Sequence, residues 1–90
     1  MFQVEKNKTL YIINNEIIGE VDYSYINKDT VNITHTYVSP LYRGKGIAEK
    51  MLEKIFKYIK DHNLKVICTC SYAEKWFQKH EEYQDLKVSK

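Results

Sequence analysis

The run Tyr42-Arg43-Gly44-Lys45-Gly46-Ile47-Ala48 has the residue types of an anion-binding turn. Glycine lets backbone approach a ligand with no Cβ in the way, and the first N–H groups of a following helix have no partner within it. The helix dipole makes that end positive. Arg43 and Lys45 add charge, so the amides of Gly44, Lys45, Gly46, Ile47 and Ala48 converge on a site suited to phosphate.

Two further side chains could do chemistry. Cys70 closes an apolar run and precedes a helix start at Ser71, and a helix N-terminus draws a thiol toward the thiolate that attacks acyl groups. Cysteine is also a common small buried hydrophobe, and the residues alone favour that reading. His35 is a candidate general base, because a neutral imidazole can take the proton lost by an attacking amine. Its spacing from Val31 and Ile33 equally fits a hydrogen-bonded core histidine, and no orienting partner is visible. Cys68 reads as a buried structural residue, and His62 and His80 as helix-end residues. Cys68 and Cys70 with those two histidines lack the spacing of a zinc site, so no metal is expected.

The turn resembles motif A of the GNAT-type N-acetyltransferases, Arg/Gln-x-x-Gly-x-Gly/Ala, through Arg43, Gly46 and Ala48. From about Ile17 to Leu86 the chain is similar to the short, single-domain members of that family. The landmarks are His35-Thr36-x-Val38, the Arg43 to Ala48 loop, Leu64-Lys65-Val66-Ile67, Cys70-Ser71-Tyr72 and Lys79-His80-x-Glu82-Tyr83-x-Asp85-Leu86. The resemblance implies that the loop amides hold the pyrophosphate of acetyl-CoA. It implies that backbone groups near Tyr37, Val38 and Ser39 bond the pantetheine arm, that Cys70 faces the acetyl group, and that His35 occupies a position where the family has a histidine. With it, Cys70 becomes the favoured reactive thiol. Full-size relatives carry a helix pair between their first strands; here Asn14-Asn15 closes the first hairpin directly, which implies a shallow or absent acceptor pocket.

These residues need elements to hold them. Ile47, Met51, Ile55 and Ile59 recur at i+4 beside Ala48, Leu52 and Phe56, which makes one apolar stripe of helical period, and Asn63 suits the stop. Charged residues from Glu49 to Lys60 occupy the solvated face. Before the loop the chain reads as strands. Thr9 to Ile13 and Glu16 to Val21 flank Asn14-Asn15, a two-residue turn tolerant of the positive φ of a type I′ hairpin. The second strand continues with Val21, Tyr23 and Tyr25 alternating against Glu20, Asp22 and Ser24. Asn27-Lys28-Asp29 turns the chain into a strand over Thr30 to Val38, where strict alternation puts Val31, Ile33, His35 and Tyr37 on one face, and Pro40 ends it. After the helix, Val66 to Cys70 is a nearly continuous apolar run, as expected of an interior strand parallel to its neighbour. Tyr72 to His80 reads as a short helix with Ala73, Trp76 and Phe77 inward. The expected fold is α/β (α+β): a GNAT-like mixed sheet with an antiparallel N-terminal meander, a long helix after the loop, one parallel strand and a short C-terminal helix. The loop then lies at the sheet's carboxyl end, where open α/β arrangements bind ligands.

Ninety residues, 43% hydrophobic and 29% charged, suit one domain over 1–90 with a modest core. No apolar stretch approaches the roughly 20 residues that span a bilayer, and the start lacks a signal-peptide core. A net charge of +2, with 14 Lys/Arg interleaved among 12 Asp/Glu, gives no uncompensated basic stripe for nucleic acid. Two cysteines at i, i+2 sit roughly 6.6 Å apart in a strand, near the limit for a disulfide, which favours free thiols and the cytoplasm. The function expected is acetyl-CoA-dependent N-acetyltransfer to an amine acceptor, such as a protein amine, either directly or through a Cys70 thioester. The alternative is a non-catalytic acetyl-CoA-binding or protein-interaction module, with Tyr11, Tyr23, Tyr25 and Tyr37 covering a surface.

Overall fold

The computed structural model describes residues 1–88. Its strands are β1 (Phe2–Val4), β2 (Lys8–Ile13), β3 (Glu16–Asn27), β4 (Thr30–Val38) and β5 (Lys65–Cys68), its α-helices are α1 (Ile47–Asp61) and α2 (Ser71–Gln78), and short 3-10 turns cover Pro40–Tyr42 and Glu81–Leu86. The strands lie in the order β1-β2-β3-β4-β5, antiparallel as far as β4 and parallel between β4 and β5. The expected mixed sheet is therefore present. Asn14 and Asn15 close the β2–β3 hairpin with φ of 50° and 66°, the paired left-handed conformation of a type I′ turn. Asn63, at φ 57°, turns the chain out of α1 toward β5.

One core fills one side of the sheet. Phe56 of α1 is fully buried at its centre, with ring centroids 5.0 Å from Trp76, 5.0 Å from Phe77 and 5.5 Å from Tyr83. The inward face of α1 (Ile47, Met51, Leu52, Ile55, Phe56, Ile59) packs on Val21, Tyr23, Val31, Ile33 and Val66, so both helices cover the same face. Gly19 lies beneath α1, where a Cβ would come within 2.8 Å of Met51 Cε. Leu10 is buried but belongs to the other face, outside this core. Among the described residues no helix covers that second face.

Three features depart from the sequence expectation. Phe2–Val4 forms an extra strand, paired with β2 and aligned by Phe2 packing at a tilt against Tyr11. The parallel strand stops at Cys68 rather than Cys70, and it is an edge rather than an interior strand, joined on its outer side only by a Val66–Lys87 bridge among the described residues. Its central residue Ile67 is 36% exposed on the bare face, so the apolar run did not signal burial on both sides.

The third departure matters most for function. Asp22 pairs with His35 and Tyr23 with Ile33, so Thr34 is an extra residue, a β-bulge in β4. Beyond it the alternation is reversed. Thr36 and Val38 join Ile33 on the helix face, while His35 and Tyr37 turn to the bare face, both exposed. The expectation that His35 and Tyr37 share a face with Val31 and Ile33 is corrected by that single inserted residue. His35 is not a core histidine.

Candidate active site

Gly44 and Gly46 take φ of 82° and 76°, a conformation that side chains with a Cβ adopt only under strain. Gly46 is the residue before α1, and the helical i to i−4 bond from Lys50 N–H reaches Gly46 O at 3.1 Å. The amides of the first turn therefore point out of the helix without intrahelical partners. Arg43 Nε donates to the Val38 carbonyl at 3.0 Å, which ties the guanidinium to the end of β4 and leaves its terminal nitrogens for an anion.

Beside this turn the sheet splits. The β4–β5 ladder ends at Ile33–Cys68, and both Thr69 N–H and Cys70 N–H close onto Ile33 O at 3.0 and 3.2 Å. From Thr34 to Val38, β4 runs on without β5. The gap is a cavity of about 590 Å³ lined by β4 residues 35–38, by Tyr42, Arg43, Gly44 and Gly46, by Ile47 to Glu49 at the start of α1, and by Tyr72 of α2. Its size is in the range of small-molecule sites.

Of the residues singled out by sequence, His35, Tyr37, Val38, Arg43, Gly44, Gly46, Ile47 and Ala48 line this cavity together. Ser39, Lys45 and Cys70 lie outside its lining, and the Ser39 N–H is committed to the Ile18 carbonyl at 2.7 Å. The Val38 carbonyl instead faces away from β3, toward Arg43, and antiparallel alternation gives the Thr36 backbone the same direction.

Cys70 is the residue before α2, with its Sγ 3.5 Å from Thr36 Oγ1. Partial burial works to raise its pKa, but the Thr36 hydroxyl and the backbone N–H groups of Ala73 and Tyr72 stabilise the thiolate, and the net shift is downward. Cys68, deeper between β5 and the core, is pushed up to about 12, chiefly by burial. Both are free thiols. Thr36 lies on the helix face and His35 on the bare face, so Cys70 and His35 approach the cleft from opposite sides of the sheet. His62 and His80 stand at helix ends, each with Nδ1 against a carbonyl of its own helix, Tyr58 O and Trp76 O.

Thr36, Tyr42, Glu49 and Tyr72 also line the cavity, although nothing in the sequence assigned them a role there. The bulge hid Thr36, since strict alternation assigns it to the wrong face. Of the four tyrosines considered as a surface, Tyr23 is buried, its hydroxyl donating to Glu5 O at 2.6 Å, and Tyr11 is half-buried, whereas Tyr25 and Tyr37 are exposed.

The solution structure of a GCN5-like protein from Staphylococcus aureus superposes on the whole chain and 89% of its own, with a TM-score of 0.80 and 28% identity. Rv2747 from Mycobacterium tuberculosis, solved with CoA, covers 83% of this chain at a TM-score of 0.67 and 16% identity, a likeness of fold alone. Protein NATD1 from Xenopus tropicalis is 33% identical over 58 residues, 64% of this chain and 53% of that protein, and NATD1 from Danio rerio is 32% identical over 65 residues, 72% and 59%. The chain thus spans little more than half the length of these relatives. Residues 9–86 match the family described as GCN5-related N-acetyl-transferase, and with that match, this fold and this cleft the chain belongs to the GCN5-related N-acetyltransferase family.

Proposed function

We propose that the chain is an acetyl-CoA-dependent N-acetyltransferase that moves an acetyl group to an amine acceptor. The observation that carries this reading is the cleft where β4 and β5 part, lined by the glycine-rich turn, the N-terminus of α1, His35 and Thr36, with Cys70 Sγ 3.5 Å behind the Thr36 hydroxyl. Acetyl-CoA is the acetyl donor of the family. In this reading Arg43, Gly44, Lys45, Gly46, Ile47 and Ala48 hold the pyrophosphate, and the cleft-facing backbone of Val38 and Thr36 holds the pantetheine arm along the stretch of β4 that β5 leaves unpaired.

The bare sheet face supports an amine carried by a large acceptor, such as a protein, because no helix among the described residues builds a pocket there. His35 lies on that face, where it can take the proton as the C–N bond forms and the thioester C–S bond breaks. Cys70, on the helix face, can instead accept the acetyl group as a thioester first. Incubation with acetyl-CoA, followed by intact mass and peptide mapping, tests both routes. Acetylated Cys70 peptide that disappears on adding an amine supports the thioester route. Acetylated amine with an unmodified Cys70→Ala protein supports direct transfer. Failure to bind acetyl-CoA or to acetylate any amine removes the proposal.

A further inference from the structure

We propose that Asp22 is a positioning residue for His35, holding the imidazole so that one nitrogen faces the cleft without a proton. The inference rests on the reading of His35 as the base of amine transfer.

Asp22 and His35 are direct partners in the β3–β4 ladder and point to the same bare face. Side chains so placed have Cβ atoms about 4.5–5.5 Å apart, within reach of a hydrogen bond by rotamer choice. Asp22 Oδ1 is buried and has no hydrogen-bond partner. A buried acceptor left without a donor is costly, and the His35 ring N–H is a donor on the facing strand. The bulge serves the same pairing: Thr34 Oγ1 donates to the Asp22 carbonyl at 3.3 Å, while the extra residue turns His35 toward Asp22.

Glu20 stands one pleat along on the same face as Asp22, and Lys8 Nζ lies 4.0 Å from Glu20 Oε2. The neighbouring Asp22 carboxyl, with burial, raises the Glu20 pKa, while Lys8 and His35 oppose the rise. Around His35 the charged and titratable groups of the face are Lys8 from β2, Glu20 and Asp22 from β3, and Tyr37 from β4.

The ring's second nitrogen then serves the cavity, which His35 lines. When the attacking amine's N–H bond breaks, its proton goes to that nitrogen, and Asp22 faces the imidazolium that results. The exposed ring releases the proton to solvent, so Asp22 ends each cycle unchanged. An orienting acid behind an imidazole is what the sequence alone did not reveal.

The experiment compares wild type, Asp22→Asn, His35→Ala and the double variant. Nitrogen-detected NMR of the His35 ring reads its tautomer without any turnover. A single dominant tautomer in wild type that becomes a mixture in Asp22→Asn is expected, and an unchanged ring overturns the proposal. Kinetics use acetyl-CoA and a lysine-containing peptide as probes. Asp22→Asn should lower kcat on the order of tenfold to a hundredfold, part of what a general base supplies. The KM for acetyl-CoA should be unchanged, and adding Asp22→Asn to His35→Ala should cost nothing further. Losses that multiply in the double variant refute it. If Asp22→Asn does not fold, Asp22→Ser gives the same readings. If wild type acetylates no peptide, the transferase reading fails and the tautomer measurement alone decides the role of Asp22.

Discussion

Replacing Gly46 with valine should separate ligand binding from folding. At φ 76° the left-handed conformation costs a residue with a Cβ about 1–2 kcal/mol, at the upper end for a β-branched side chain. No other atom lies within 4 Å of a Cβ built there, so no clash adds to that cost. Against the roughly 5–13 kcal/mol expected of 90 residues, the variant remains well over nine-tenths folded. The open space belongs to the cavity that Gly46 lines, and two isopropyl carbons placed there cover the amides meant for the pyrophosphate. Losing two charge-assisted hydrogen bonds of about 1.5–3 kcal/mol each weakens binding by about two to four powers of ten. Calorimetric titration with acetyl-CoA reads the affinity, and circular dichroism with a thermal melt reads the fold. Wild-type affinity in a folded Gly46→Val protein would refute the assignment of this turn to the pyrophosphate.

Three other outcomes follow from the same geometry. Because its pKa is lowered, Cys70 should alkylate substantially below the pH at which an ordinary thiol reacts, acetyl-CoA should protect it, and Cys68, pushed up to about 12, should react slowly throughout; equal labelling of the two by peptide mapping counts against this account. Phe56→Ala removes the ring that joins α1 to Trp76, Phe77 and Tyr83, so it should cost about 3–5 kcal/mol and lower Tm by more than about 12 °C, measured by scanning calorimetry. Glu20 has a folded pKa above its ordinary 4.5, so the native state binds the proton more tightly; stability should fall as pH rises from about 4.5 through the raised value, and Glu20→Gln should flatten that part of the Tm-against-pH curve.

Legibility in the sequence depended on how local each signal was. The Asn14-Asn15 hairpin, the α1 stripe and the glycine turn rest on neighbours along the chain, and they stand where the residues placed them. β5 was legible as a parallel strand but not as an edge, because an apolar run does not report whether a further strand lies beyond it. β1 was missed since three residues, Phe2–Val4, carry too little alternation to read. The face of His35 was misread because a bulge leaves no mark in composition: Thr34 is an ordinary strand residue, and only its unmatched place in the ladder reverses the pattern. Asp22 shows in the sequence only as one residue of an alternating strand, and its pairing with His35 becomes visible only with the bulge.

The bulge at Thr34 works as a phase shift between two stretches of one strand. Strand residues Thr30 to Ile33 keep time with the core under α1, and residues His35 to Val38 keep time with the cleft, half a period away. Removing that one residue would restore a single rhythm: the imidazole and the Tyr37 ring would swing beneath the helices, and Thr36 and Val38 would turn away from Cys70 and the loop. A deletion of one codon would thus turn this end of β4 inside out while hardly altering its composition, so insertions and deletions should be tolerated less here than substitutions. The spacing between Ile33 and His35, more than the identity of the residue that fills it, keeps the two halves of the strand assigned to different tasks.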